Sequence, residues 1–150
     1  MTVIAWDGHT LAADKLAGSV GLRRTVTKIR AIRGHLVAFS GNAGRGMEVV
    51  AWWEAGAYPA EYPKFQEADD FVDLLVITPV GKILKYERSA HPVHFEDATF
   101  AMGSGRDYAM ATMFLGFGAV RAVEVASEHD MDCGGGLDVL MLPHPNQNGK

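Results

Sequence analysis

The chain has 150 residues, 48% of them apolar and 21% charged, which is enough for one domain with a sizeable core. Its 14 Lys and Arg against 18 Asp and Glu give a net charge of -4, and no basic cluster supplies the positive surface that nucleic acid or an anionic membrane needs. The single cysteine, Cys133, excludes an internal disulfide framework and, without paired Cys/His spacing, a zinc site.

Asp7, His9 and Asp14 interrupt the apolar start, so there is no signal-peptide pattern, and no run approaches the roughly 18 apolar residues of a membrane span. A soluble cytoplasmic protein, processed at most by loss of its first residue, is the expectation. Val3-Ile4-Ala5-Trp6 is a short β run, Asp7-Gly8 is a two-residue hairpin signal, and His9 to Ala13 returns from it. A Gly/Leu/Arg connection follows. Val26 to Ile32 alternates, turns at Arg33-Gly34 and returns through Leu36 to Ser40 as a second hairpin. Met47, Val50, Ala51 and Glu54 fall at helical spacing, predicting a helix from about Ala43 to Ala57 with Gly56 as its cap.

Pro59, Pro63 and two tyrosines make 58–70 an irregular connection with at most one helical turn. Asp73 to Thr78 and Lys82 to Glu87 read as a third hairpin across Pro79-Val80-Gly81. After a polar turn, Thr99 to Met102 is a short strand ending in Gly103-Ser104-Gly105. Helices follow from Arg106, broken at Gly116 and Gly118, and from Ala119 to about Ser127. Leu137 to Leu142 is a closing strand, and the tail from 143 to 150 is expected to fray. Hairpin-joined strands with helices inserted in two blocks predict one α+β domain spanning 1–150. Its architecture is a four-layer α/β/β/α sandwich, with two antiparallel sheets between helical layers.

Several patterns carry no chemistry. Gly103-Ser104-Gly105 lacks the glycines two places either side that a nucleophile elbow needs. His91-Pro92-Val93-His94 has no further ligands nearby and reads as a solvated turn. Gly134-Gly135-Gly136 precedes a strand and reads as a sharp turn instead of a phosphate loop. Asp69, Asp70 and Asp73 lack calcium-loop spacing and read as surface. Trp52 and Trp53 diverge by about 100° on a helix, one facing inward and one sideways, where an exposed indole would suit a subunit contact.

Thr2 is different. A small second residue permits removal of Met1, leaving a threonine whose α-amine titrates near about 7.7–8.0 and can act as base for its own hydroxyl. Asp14 ends the second strand, Lys28 starts the third, and Gly41 lies in the turn Ser40-Gly41-Asn42-Ala43-Gly44 between strand and helix. This layout can aim a carboxylate, an ammonium and a backbone N–H at the start of the first strand. A lysine favours the ionised hydroxyl, a carboxylate keeps the lysine charged, and a fixed N–H stabilises the oxyanion of an acyl transfer.

Thr2, Gly8, Leu-Ala-Ala-Asp-Lys, Thr-Lys-Ile-Arg and the small-residue turn at 40–44 together resemble the proteasome β-subunit group of N-terminal-nucleophile hydrolases. The likeness continues through Met102-Gly103-Ser104-Gly105 with Tyr108-Ala109, and through His129 to Gly136 before the last strand. It runs in order from Thr2 to about Leu142 and is similar to short bacterial and phage homologues and to the peptidase subunit of the bacterial two-component ATP-dependent protease. The resemblance implies a threonine-type peptidase with Thr2 as nucleophile, Asp14 and Lys28 tuning it, and the Gly41 N–H as oxyanion donor. It places Ser104 by the amine and Asp130 in support of that serine, sets the stretch from Gly18 to Arg24 near where substrate pockets form, and gives specificity loosely to Val26, Phe39 and Ala43. It also implies a homo-oligomeric ring or double ring acting on polypeptides, with an ATP-dependent unfoldase as a conceivable partner and no metal or organic cofactor. Cys133 stands where the family usually has a second serine or threonine, and a thiol is the poorer hydrogen-bond donor. The stretch 58–70 is also shorter than the family's helical layer there. Two other functions suit the same residues: a non-catalytic assembly protein of this fold, and an amidohydrolase of small amides.

Overall fold

The computed structural model describes residues 2–19, 21–65 and 71–143. Met1, Asp69, Asp70 and the tail beyond 143 lie outside them. The strands are β1 (Ile4–Trp6), β2 (Thr10–Asp14), β3 (Leu16–Ser19), β4 (Leu22–Thr25), β5 (Ile29–Ile32), β6 (His35–Gly41), β7 (Val72–Ile77), β8 (Ile83–Glu87), β9 (Val93–Phe95), β10 (Phe100–Met102) and β11 (Leu137–Met141). The helices are α1 (Ala43–Glu54), α2 (Arg106–Phe114) and α3 (Ala119–His129), with a single 3-10 turn at Pro59–Glu61. Among the described residues no helix is long and apolar enough to cross a membrane.

Two antiparallel sheets, ordered β10-β1-β2-β11 and β5-β6-β7-β8-β9, lie face to face. Because side chains alternate across a strand, each strand feeds two layers of core. Ile4 and Trp6 on β1, Leu36 and Ala38 on β6, and Leu75 and Ile77 on β7 fill the space between the sheets. Their neighbours Val3 and Ala5 face α2 and α3, while Val37, Phe39, Leu74 and Val76 face α1. The runs are apolar throughout because both faces of each sheet are covered, which gives the expected four-layer α/β/β/α sandwich.

Small residues set the layer spacing. Ala109, Ala119, Ala122 and Ala126 bring α2 and α3 onto Ala5 and Ala12. On the other side Gly46 lies against the Phe39 ring, where a Cβ would stand 2.3 Å from a ring carbon. Helix α1 starts on Asn42, whose side chain accepts the Arg45 N–H, and stops at Gly56 (φ +125°) with Gly56 and Ala57 donating back to Trp53 and Trp52. Trp52 is buried and donates Nε1–H to the Tyr58 carbonyl at 2.8 Å, whereas Trp53 packs edge-on against His35.

Three expectations need correction. The Gly/Leu/Arg connection is the hairpin β3–β4; all four β4 residues are exposed, so it has no alternating apolar face to betray it. The next strand starts at Ile29 instead of Val26, because the Val26 N–H is taken by the Lys15 carbonyl at the root of that hairpin. The polar turn before β10 contains the edge strand β9, so Val93 and His94 belong to the sheet.

The first turn also does more than reverse the chain. Trp6 pairs with Leu11 across a loop in which Asp7 Oδ1 accepts the N–H groups of His9 and Thr10. Asp7 Oδ2 accepts the Ala119 N–H at 2.8 Å, capping α3 from 112 residues away where Gly118 has no side chain to do so. Asp7→Ala is expected to lower stability by about 1–2 kcal/mol, measured by urea unfolding; a shift below about 0.3 kcal/mol would contradict this capping role.

Candidate active site

Thr2 lies just before β1 and is 3% exposed. On one side of it stands Asp14, at the end of β2 and fully buried. A bare carboxylate there would be prohibitive, but three donors satisfy it. Oδ1 accepts the Val3 N–H at 3.0 Å and Lys28 Nζ at 2.8 Å, and Oδ2 accepts the Gly134 N–H at 3.0 Å. The Asp14 N–H returns to the Val3 carbonyl at 3.1 Å, so the residue after Thr2 is clamped by backbone and side chain together. Lys28 is 4% exposed, and its ammonium is held by Asp14, whose same oxygen accepts the N–H of the residue after Thr2.

On the other side the turn 103–105 closes over the Thr2 backbone. Ser104 Oγ accepts the Thr2 N–H at 3.3 Å and donates toward the Thr2 carbonyl at 3.4 Å, and the Gly105 N–H donates to the same carbonyl at 3.1 Å. Gly103 has φ +93°, and a Cβ on it would sit 2.1 Å from the Thr2 oxygen; only glycine permits this approach. Behind Ser104, Cys133 Sγ lies 3.7 Å from Ser104 Oγ and donates to Asp130 Oδ2 at 3.4 Å. The Asp132 N–H, bonded to Oδ1, is the main reason the Asp130 carboxyl stays below its ordinary range. Burial pushes the Cys133 thiol up to about 12, opposed by its bond to Ser104 and reinforced by the Asp14 and Asp130 charges.

Gly41 ends β6 at φ +109°, where a Cβ would meet the Phe71 carbonyl at 2.2 Å. Asn42 donates to that carbonyl across to β7, and Phe39 donates to Lys28 on the β5 side. The alternation of an antiparallel ladder therefore turns the Gly41 N–H toward the β5 side, beyond the point where β5 has begun.

Thr2, Lys28 and Gly41 all border one cavity of about 1130 Å³. Val26, Phe39 and Ala43 line it as well, although Phe39 is 3% exposed and gives most of its ring to the α1 core. Asp14, Ser104 and Asp130 are not part of the lining: Asp14 holds Lys28, Ser104 contacts the Thr2 backbone, and Asp130 sits behind Ser104 through Cys133. The stretch from Gly18 to Arg24, which the resemblance sets near the substrate pockets, supplies Gly18, Leu22 and Arg23 to the same wall, whereas reading by residue type missed Leu16, Phe71 and Met131. It also missed Gly103 and Gly134 as structural partners of Thr2 and Asp14, and the only signal for them was that glycines clustered at two turns.

No family model matches this chain, and no curated protein does. Solved structures do. BPH of Thiobacillus denitrificans, in complex with epoxomicin, is 21% identical at a TM-score of 0.69, over 96% of this chain and 100% of its own. The eukaryotic HslV of Trypanosoma brucei is 20% identical at 0.72, over 95% and 99%. Anbu of Yersinia bercovieri is 13% identical at 0.70, over 95% and 82%. The chain thus has the fold of the proteasome-β-like N-terminal-nucleophile hydrolases.

The Cys133 environment has a measurable consequence. Its thiol keeps its proton in the folded chain up to about pH 12 but would lose it near 9.0 when unfolded. Unfolding then releases a proton between those values, so this group's contribution to stability is intact below pH 9 and declines above it. A thiol reagent at pH 8 should modify Cys133 only in denaturant; folded and unfolded protein reacting at equal rates would contradict this picture.

Proposed function

We propose that this chain is a threonine-type peptidase whose nucleophile is Thr2 once Met1 has been removed. The observation that carries the reading is the two-sided seating of Thr2. Asp14 and Lys28 hold one side, Ser104, Cys133 and Asp130 back the other, and a peptide-sized cavity opens in front.

With Met1 gone, the Thr2 nitrogen becomes a primary amine beside its own hydroxyl, with Ser104 Oγ already within hydrogen-bond reach. The amine takes the hydroxyl proton as Oγ attacks the scissile carbonyl, and Lys28 lowers the cost of the negative charge developing on Oγ. The carbonyl oxygen becomes an oxyanion and takes the Gly41 N–H. Collapse breaks the C–N bond, the proton passes from the α-amine to the leaving amine, and an ester on Thr2 remains. Water, deprotonated by the same amine, hydrolyses the ester and restores the hydroxyl. Ser104 holds the amine in position and can relay its proton, and Cys133 with Asp130 fixes the orientation of Ser104.

The reading extends to a one-domain cytoplasmic subunit of a homo-oligomeric ring or double ring that cuts polypeptides, fed by an ATP-dependent unfoldase. Exposed Phe114, Leu115 and Phe117 at the α2–α3 turn support self-association, since a lone subunit would leave them in water. The complex of BPH with epoxomicin is in accord with ligand binding on this fold.

Thr2→Ala should cut peptide hydrolysis by at least about 10³-fold, whereas Thr2→Ser, which restores a hydroxyl, should recover much of it. Lys28→Ala should be nearly as damaging, with circular dichroism checking the fold because Asp14 loses its cationic partner. Retained turnover in Thr2→Ala would refute the nucleophile, and an active, folded Lys28→Ala would refute the activating role of Lys28.

A further inference from the structure

Hairpin β3–β4 belongs to neither sheet, and β4 buries nothing. Its contribution is to the cavity, whose lining Leu16, Leu22 and Arg23 share with Met131 and Asp132. Most of that lining is apolar. Lys28, the other cation on the lining, is buried and committed to Asp14. Arg23 is exposed, and its Nη2 comes within 3.9 Å of where a Cβ on Gly134 would be, so the side chain reaches from the hairpin toward the loop that supports Asp14. Among the described residues no carboxylate pairs with its guanidinium, and Asp132 on the same rim forms no ion pair with it. By contrast Lys15, Arg45 and Arg121 each have an acidic partner.

A planar guanidinium at the edge of an apolar cavity presents a forked set of donors that matches a carboxylate. We propose that Arg23 is a carboxylate subsite of this cavity, taking an acidic side chain or the terminal carboxylate of a polypeptide whose scissile carbonyl lies at Thr2. The subsite rests on the threonine-hydrolase reading above and narrows its substrates to peptides that place an apolar residue in the cavity and a carboxylate at its rim.

The test uses the Met1-free protein and peptides with one fixed apolar residue at the cleaved position. Glu, Gln and Lys are scanned through the neighbouring positions, and each peptide is made with free and amidated C-termini. Because Arg23 is exposed, kcat/KM should favour Glu over Gln by about three- to fivefold at one position, with the preference shrinking as salt is raised. It should vanish in Arg23→Gln and turn toward Lys in Arg23→Glu. Arg121→Gln, which changes net charge equally outside the cavity lining, should keep it. A preference that follows the free C-terminus instead of a side chain assigns the terminal carboxylate as the ligand. Thr2-dependent cleavage with the same Glu/Gln ratio in wild type and Arg23→Gln would overturn the subsite and leave the hydrolase reading standing. A Met1-free chain that cleaves none of the peptides would overturn both.

Discussion

A fully buried carboxylate organises this molecule. Asp14 is out of contact with water, and the desolvation cost of its charge is met by one ammonium and two backbone N–H groups. Those three donors come from three places far apart in sequence: the start of β1, the lysine before β5, and the glycine turn before β11. Satisfying one side chain therefore fixes how the segment that leads from Thr2 into β1, the loop carrying Lys28 and the loop following Asp130 meet. A hydrophobic residue at position 14 could fill the same space at less cost, but it would leave that convergence unspecified. Stability alone does not call for such a pair, whereas the proposed role of Lys28 toward Thr2 does.

The second organising element is glycine. At Gly103 and Gly41 the backbone passes so close to Thr2 and to Phe71 that a Cβ would overlap a carbonyl oxygen, and both residues have positive φ. These approaches bring backbone N–H groups to the two ends of the site: Gly105 onto the Thr2 carbonyl, and Gly41 on the cavity side of β6. Backbone donors held by a sheet edge and a tight turn need little reorganisation when charge develops near them, which is what the proposed acyl transfer would require. Cys133 fits the same logic of fixed geometry, since a thiol that keeps its proton can donate to Asp130 and leave the Ser104 hydroxyl to Thr2.

Where both faces of a strand are buried, the sequence announces it. Leu36 to Phe39 and Leu74 to Ile77 are unbroken apolar runs, and they form the centre of the sandwich. The turn glycines and the helix spacing from Ala43 were equally legible because each follows from local backbone chemistry. The β3–β4 hairpin was not, because its residues are exposed and its formation depends on tertiary anchors such as the Lys15–Val26 bond. The same limit applies to the site. Thr2, Asp14 and Lys28 could be singled out by residue type and position, but the support from Gly134, the closeness of Gly103 and the reach of Arg23 exist only in three dimensions. Val26, Phe39 and Ala43 border the cavity with Thr2, as do Leu22 and Arg23 of the stretch that the resemblance sets near substrate pockets, but periodicity did not show that stretch to be a hairpin.

Catalysis by Thr2 requires its amine and its hydroxyl to act together, and an epoxyketone reports on both, because a stable adduct forms with the two groups of one residue. The most direct measurement is an intact-mass spectrum of the purified protein after incubation with such a compound, with Thr2→Ala alongside. Loss of Met1 and a single adduct on the wild-type chain, absent from Thr2→Ala, is the expected result. A chain that begins at Thr2 and stays unlabelled by epoxyketones with different side chains would contradict it.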